Sequence, residues 1–212
     1  MRETASAAAK PYHHGDLSRA LVMAARRILE SEGPSALSLR AVAREAGVSP
    51  AAPYHHFKDK NELLEAVAHE GWMQLGAEVA KARADAPNQR AALTNIGVAY
   101  VIFARQNPAL YRVMYDGMRD RTEMPLHAKE SDSGWSQVEE AIICAGGDPD
   151  PSELQLATIA AWCAAHGLAE MASFKEFDGL KESLGGEEGF IRAILDHIGV
   201  FIRPGRDKPP IS

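Results

Sequence analysis

Cysteine is scarce: Cys144 and Cys163 are the two in 212 residues. They form no CxxC pair and no metal-type spacing, so no disulfide framework or zinc ribbon is expected, and a reducing cytoplasm suits them. Long apolar runs are also missing. The longest charge-free stretch, Leu154 to Ala169, is alanine-rich, contains Gln155 and His166, and is too short for a membrane span. The first residues carry no apolar core of a signal peptide. GxSxG, HExxH, a Walker loop and GxGxxG are all absent, which removes the commonest hydrolase, metalloprotease and nucleotide-binding signatures. The adjacent carboxylates Glu139-Glu140 and Glu187-Glu188 read as solvated helix faces, so no catalytic residue, cofactor or metal site is assigned. Convincing apolar/polar alternation is missing too, which argues against a half-buried sheet.

What remains is an ordinary globular composition, with 46% hydrophobic and 25% charged residues. Charge is unevenly shared. Residues 1–60 hold nine Lys+Arg against six Asp+Glu, and residues 61–212 hold fourteen against twenty-three. A small basic front on an acidic body is expected when one part touches phosphate.

Apolar spacing predicts about nine helices and an all-α fold. Residues 1–14, with Tyr12, His13 and His14, read as a flexible arm. A first helix starts at Asp16, with Leu17, Leu21, Ala24, Ile28 and Leu29 on one face, and stops at Gly33-Pro34. Ser38 opens a second, closed by Gly47. Ser49 caps a short third, with Pro50 at its first position. Asp59 or Asn61 opens a fourth that runs to about Ala84. A fifth runs from Pro87 to about Asn107, and a sixth carries Tyr111 and Met114. A polar loop over 118–134 leads to a helix at about 137–145. Ser152 caps a long helix through Phe174, and a final helix carries Phe190 to Ile202.

The informative segment is SLRAVAREAGVSPAAPYHHFKDK, Ser38 to Lys60. Two short helices meet across Glu45-Ala46-Gly47-Val48, where glycine supplies the positive backbone angle of a tight helix–turn–helix. The second helix is too short to stand alone, so it must be held by its neighbours with one side outward. That is how a recognition helix is offered to a major groove. His55 and His56 diverge by about 100° on a helix, so they do not share a metal readily.

In Ser38, Leu39, Arg40, Val42, Ala43, Ala46, Gly47, Val48, Ser49, Tyr54, Phe57, Lys60 and Leu63 this segment resembles the DNA-binding domain of TetR-family transcriptional regulators. The match covers about residues 15–65. A second resemblance, in Trp162, His166 and Gly167, is to the WHG-type C-terminal domain of one branch of that family. The resemblance implies an all-helical homodimer with a helix–turn–helix domain over 15–61 and an effector-binding and dimerisation domain over 62–212. It implies a cytoplasmic repressor released from double-stranded operator DNA by a small molecule. A dimeric small-molecule binder that has lost specific DNA binding is the alternative.

Carried over by position, Ser38 and Arg40 meet the phosphate backbone. Ser49, Pro50, Ala51, Tyr54, His55 and Lys60 lie at the DNA face, with Tyr54 and Lys60 mostly on phosphate. Relatives commonly carry Lys, Gly and Thr where this chain has Pro50, Ala51 and Ala52. The first two offer only apolar contact, as to thymine methyls. Pro53 within the helix removes a backbone donor. Candidate lining residues of an effector pocket are Trp72, Tyr100, Phe103, Tyr111, Met114, Tyr115, Trp162, His166 and Met171. Any one of them taken singly reads as core; together they suggest an apolar cavity with polar handles. The helices at about 152–174 and 187–202 have wide apolar faces and would pair across a two-fold axis.

Overall fold

The computed structural model describes residues 14–116, 134–146 and 150–199. All but one residue of the arm, most of the polar loop after Met118, and Phe201 and Ile202 lie outside them. Among the described residues the chain is helical, with no strand. The α-helices are α1 (His14–Ser31), α2 (Leu39–Glu45), α3 (Lys60–Ala84), α4 (Gln89–Gln106), α5 (Pro108–Asp116), α6 (Gly134–Gly146), α7 (Pro151–Met171), α8 (Asp178–Ser183) and α9 (Glu187–Gly199). Short 3₁₀ turns occur at Ala52–His55 and Lys175–Phe177.

The chain divides into two compact units, Met1–Val67 and Ala68–Ser212. The division falls inside α3, six residues beyond the boundary placed from sequence at 61/62. In the first unit, Leu21, Ala24 and Ala25 of α1 and Val42 and Ala43 of α2 are buried. α1 packs on α2, and α2 packs on the first 3₁₀ turn. In the second unit α4 is central and packs against α6, α7 and α9. Gly97 lets α9 come close: a Cβ there would sit 2.8 Å from Leu195 Cδ1. The edges of this pair are tied by Arg105 Nε to Glu187 Oε1 at 2.6 Å and by Arg192 Nη1 to Asn95 Oδ1 at 2.8 Å.

Several boundaries differ from the sequence reading, each for a local reason. α1 begins at His14, so Asp16 falls in its first turn and not before it. Asp150, not Ser152, caps α7. Its carboxylate accepts from the amides of Ser152 and Glu153 at 2.9 and 3.1 Å, and Pro151 follows in the first helical position. α7 stops at Met171, short of Phe174. α8 had no counterpart in the sequence reading. The expected third α-helix is a 3₁₀ turn. In an α-helix residue 53 would donate to the Ser49 carbonyl, and Pro53 has no N–H to do so. The amide of Ala52 donates to Ser49 instead at 3.0 Å, and that of Tyr54 to Ala51 at 3.2 Å. Ala51 occupies the cap position with no side-chain bond, so Ser49 does not cap through its hydroxyl.

Candidate nucleic-acid interface and aromatic cluster

The interface candidate is built by caps. The Ser38 hydroxyl accepts from the Ala41 amide at 3.1 Å and starts α2. α2 ends in a paired turn, with the Val48 amide on the Ala43 carbonyl at 2.9 Å and the Gly47 amide on Arg44 at 3.2 Å. This is the Schellman arrangement, and it needs the left-handed φ of +69° found at Gly47. Asp59 then caps α3, its Oδ1 accepting from the Glu62 amide at 2.9 Å, while Glu62 Oε2 accepts from the Lys58 amide at 2.6 Å.

This scaffold leaves Arg40 and Arg44 exposed on α2, and Ser49, Pro50, Ala51, Tyr54 and His55 exposed around the turn. Tyr54 is 52% exposed, while Pro53 and Phe57 point inward and are buried. Lys60, expected at the DNA face, is half-buried at the start of α3. Its Nζ donates to the Pro34 carbonyl at 2.9 Å and ties α3 to the loop after α1. Arg27 pairs with Glu45 at 2.7 Å across α1 and α2. Among the described residues no three His, Cys, Asp or Glu side chains form a metal-type group.

In the second unit, five of the nine pocket candidates converge in one hydrogen-bonded cluster. Tyr100 Oη lies 2.9 Å from Tyr111 Oη and is also bonded to Tyr115 Oη. His166 Nδ1 lies 2.5 Å from Tyr111 Oη and 3.4 Å from Tyr100 Oη. Trp162 Nε1 donates to Tyr115 Oη at 2.8 Å and to Tyr100 Oη at 3.1 Å. Trp72 closes one side, edge-on to Tyr115 with centroids 5.4 Å apart. Its Nε1 is buried without a hydrogen-bond partner. Burial pushes all three phenols up, Tyr115 to about 12 despite hydrogen bonds that pull it back.

The remaining three candidates sit elsewhere. Met114 is fully buried under α3, where a Cβ on Gly71 would lie 2.7 Å from its Sδ. Phe103 lines a separate open groove of about 390 Å³ with Gln74, Ala77 and Glu78. Met171 does not line the cluster; it is 47% exposed. Nine residues after Trp162 at about 100° each bring it to the opposite side of α7. Sequence reading missed Trp135, which is buried 5.8 Å from Trp162 and donates to Glu139 Oε1 at 2.7 Å. α6 begins at Gly134, three residues earlier than periodicity alone indicates, and so takes in Trp135. Gln137 of the same helix is also buried and accepts from Arg83 Nη1 at 2.9 Å.

A capped helix–turn–helix joined through one long helix to a larger helical unit is the build of a DNA-binding regulator. Two family models match: bacterial regulatory proteins of the tetR family over residues 21–67, and the tetracyclin repressor-like C-terminal domain over residues 93–196. The chain belongs to the tetR family of bacterial regulatory proteins.

It is 31% identical over 117 residues to the HTH-type transcriptional regulator BetI of Brucella suis biovar 1 (strain 1330), covering 54% of each chain. It is 34% identical over 100 residues to BetI of Rhizobium meliloti (strain 1021), covering 46% of this chain and 49% of that one. The chain thus spans about half the length of the curated relatives it matches. Among solved structures, a protein of unknown function from Rhodococcus sp. RHA1 is 30% identical with a TM-score of 0.72, covering 92% of this chain and 97% of that one. A TetR family transcription regulator from Marinobacter aquaeolei VT8 shares the fold at 19% identity and a TM-score of 0.62, with 91% and 98% covered.

Proposed function

We propose that the protein is a dimeric transcription repressor of the cytoplasm that binds operator DNA through its first unit and is released by a small molecule bound in its second. It carries out no catalysis in this role. The observation that carries the reading is the capped helix–turn–helix, whose exposed surface holds Arg40, Arg44, Ser49, Tyr54 and His55. Arg40 and Tyr54 serve as phosphate contacts, which fix register without reading sequence.

The effector enters the Tyr100–Tyr111–Tyr115–Trp162–His166 cluster, and the WHG-type branch fits that placement of Trp162 and His166. Entry breaks phenol hydrogen bonds on α5, the helix whose Met114 presses on Gly71 of α3. A shift of α5 is therefore felt by α3, which begins in the DNA-binding unit. The effector must favour the shifted arrangement, because equal affinity for both states moves nothing. The dimer forms through α7, where Leu156 is 67% exposed and Ile159, Cys163 and Met171 follow on the outer side.

The test is the double variant Arg40→Ala/Tyr54→Phe in operator binding across a salt series. Losing both contacts lowers affinity, and losing the Arg40 charge reduces the slope of log K against log salt by about 1. Unchanged affinity and slope would remove this surface from the DNA interface.

A further inference from the structure

We infer that the 3₁₀ turn recognises its operator through thymine methyl groups packed against Pro50 and Ala51, an inference that rests on the regulator reading above. From Ala46 to Phe57 the chain contains no Arg, Lys, Asn or Gln. Those side chains make the paired hydrogen bonds that identify guanine and adenine in the major groove. Leading into the turn stand instead Pro50 and Ala51, adjacent and both exposed. Pro50 has no N–H, and neither side chain has a polar atom, so these two side chains offer a base edge apolar contact only.

The tip is also held in place. Pro53 is fully buried beneath it, and the backbone bonds from Ala52 to Ser49 and from Tyr54 to Ala51 fix the turn. Two prolines leave little backbone freedom to lose on binding. Polar groups stand only at its margins: the Ser49 hydroxyl on one side, and Tyr54 and His55 on the other. Thymine is the base that offers a methyl in the major groove. A cytosine at the same place would present its amino group to the Pro50 and Ala51 side chains, which offer it no acceptor. The tip therefore selects thymine by contact and rejects cytosine by desolvation.

The experiment has two stages. Genomic fragments are first selected with the full-length protein. The enriched site is then compared by fluorescence anisotropy with copies in which each thymine is replaced by deoxyuridine, which lacks only the methyl. At the positions read by the tip, each replacement weakens wild-type binding about fourfold, the value of one buried apolar carbon. Ala51→Gly binds the thymine site about as weakly as wild type binds the uracil site, and it loses little more on replacement. Ala51 has a φ of −83°, so glycine there adds no backbone requirement. An enriched site bound equally with thymine and uracil overturns this inference and leaves the regulator reading standing. No enrichment of any fragment overturns the regulator reading and this inference with it.

Discussion

Three phenols share one buried cluster, and their chemistry sets a pH limit on the second unit. Burial holds Tyr100, Tyr111 and Tyr115 above the usual phenol range, Tyr115 at about 12. In the unfolded chain they titrate near 10. Their stabilisation is fully present below about pH 10. It falls as pH rises beyond that, because the unfolded chain then releases protons the native state keeps. The melting temperature should therefore drop steeply above about pH 10, less steeply in Tyr115→Phe. Simultaneous ionisation of the clustered phenols near pH 10 with the fold intact would contradict the burial. Gly47 makes a second demand at single-residue scale. Nothing lies within 4 Å of a Cβ placed there, so the whole penalty of Gly47→Ala is its φ of +69°. Urea unfolding should show a loss of about 1 kcal/mol, and Gly47→Asn should lose less, because asparagine tolerates that angle better.

Elements marked by caps and periodicity were legible from the sequence: α2 from Ser38 and Gly47, and α3 from Asp59. The 3₁₀ turn at Ala52–His55 was half legible. Proline at 50 and 53 is visible, but the choice between a damaged α-helix and a 3₁₀ turn rests on which carbonyl each neighbouring amide reaches. In the second unit, the sequence marked which aromatic residues were available and not which side of each helix faces inward. That is why Tyr100, Tyr111, Tyr115, Trp162 and His166 came together while Met171 did not, and why Trp135 was overlooked. α7 and α9 both read as widely apolar, and burial separates them. α9 places Ile191 and Phe190 in its own unit's core, whereas α7 leaves Leu156 and Ile159 outside. Ile159→Glu should therefore shift the protein toward monomer in analytical ultracentrifugation with its helical circular dichroism intact. Ile191→Glu should unfold it instead, since a fully buried apolar site cannot accommodate an unpaired charge. A folded Ile159→Glu variant that keeps the wild-type mass would place the dimer contact elsewhere.

For the molecule as a whole, the uneven charge and the two units give one consistent division of labour. A small basic excess lies in residues 1–60 with the helix–turn–helix, and the acidic excess lies with the helical body that holds the aromatic cluster. α3 belongs to both, starting at Lys60 beside the 3₁₀ turn and reaching Gly71 and Trp72 against α5 and the cluster. An acidic body disfavours non-specific DNA contact, which suits the proposed interface at the front. The central claim, specific DNA binding, is met most directly by fluorescence anisotropy of the full-length protein. The probe is its best-enriched genomic fragment, measured with random competitor DNA at two salt concentrations. The account predicts competitor-resistant binding, at least about a thousandfold tighter than to random DNA and weakening with salt. Binding to that fragment no tighter than to random DNA at either salt would contradict it.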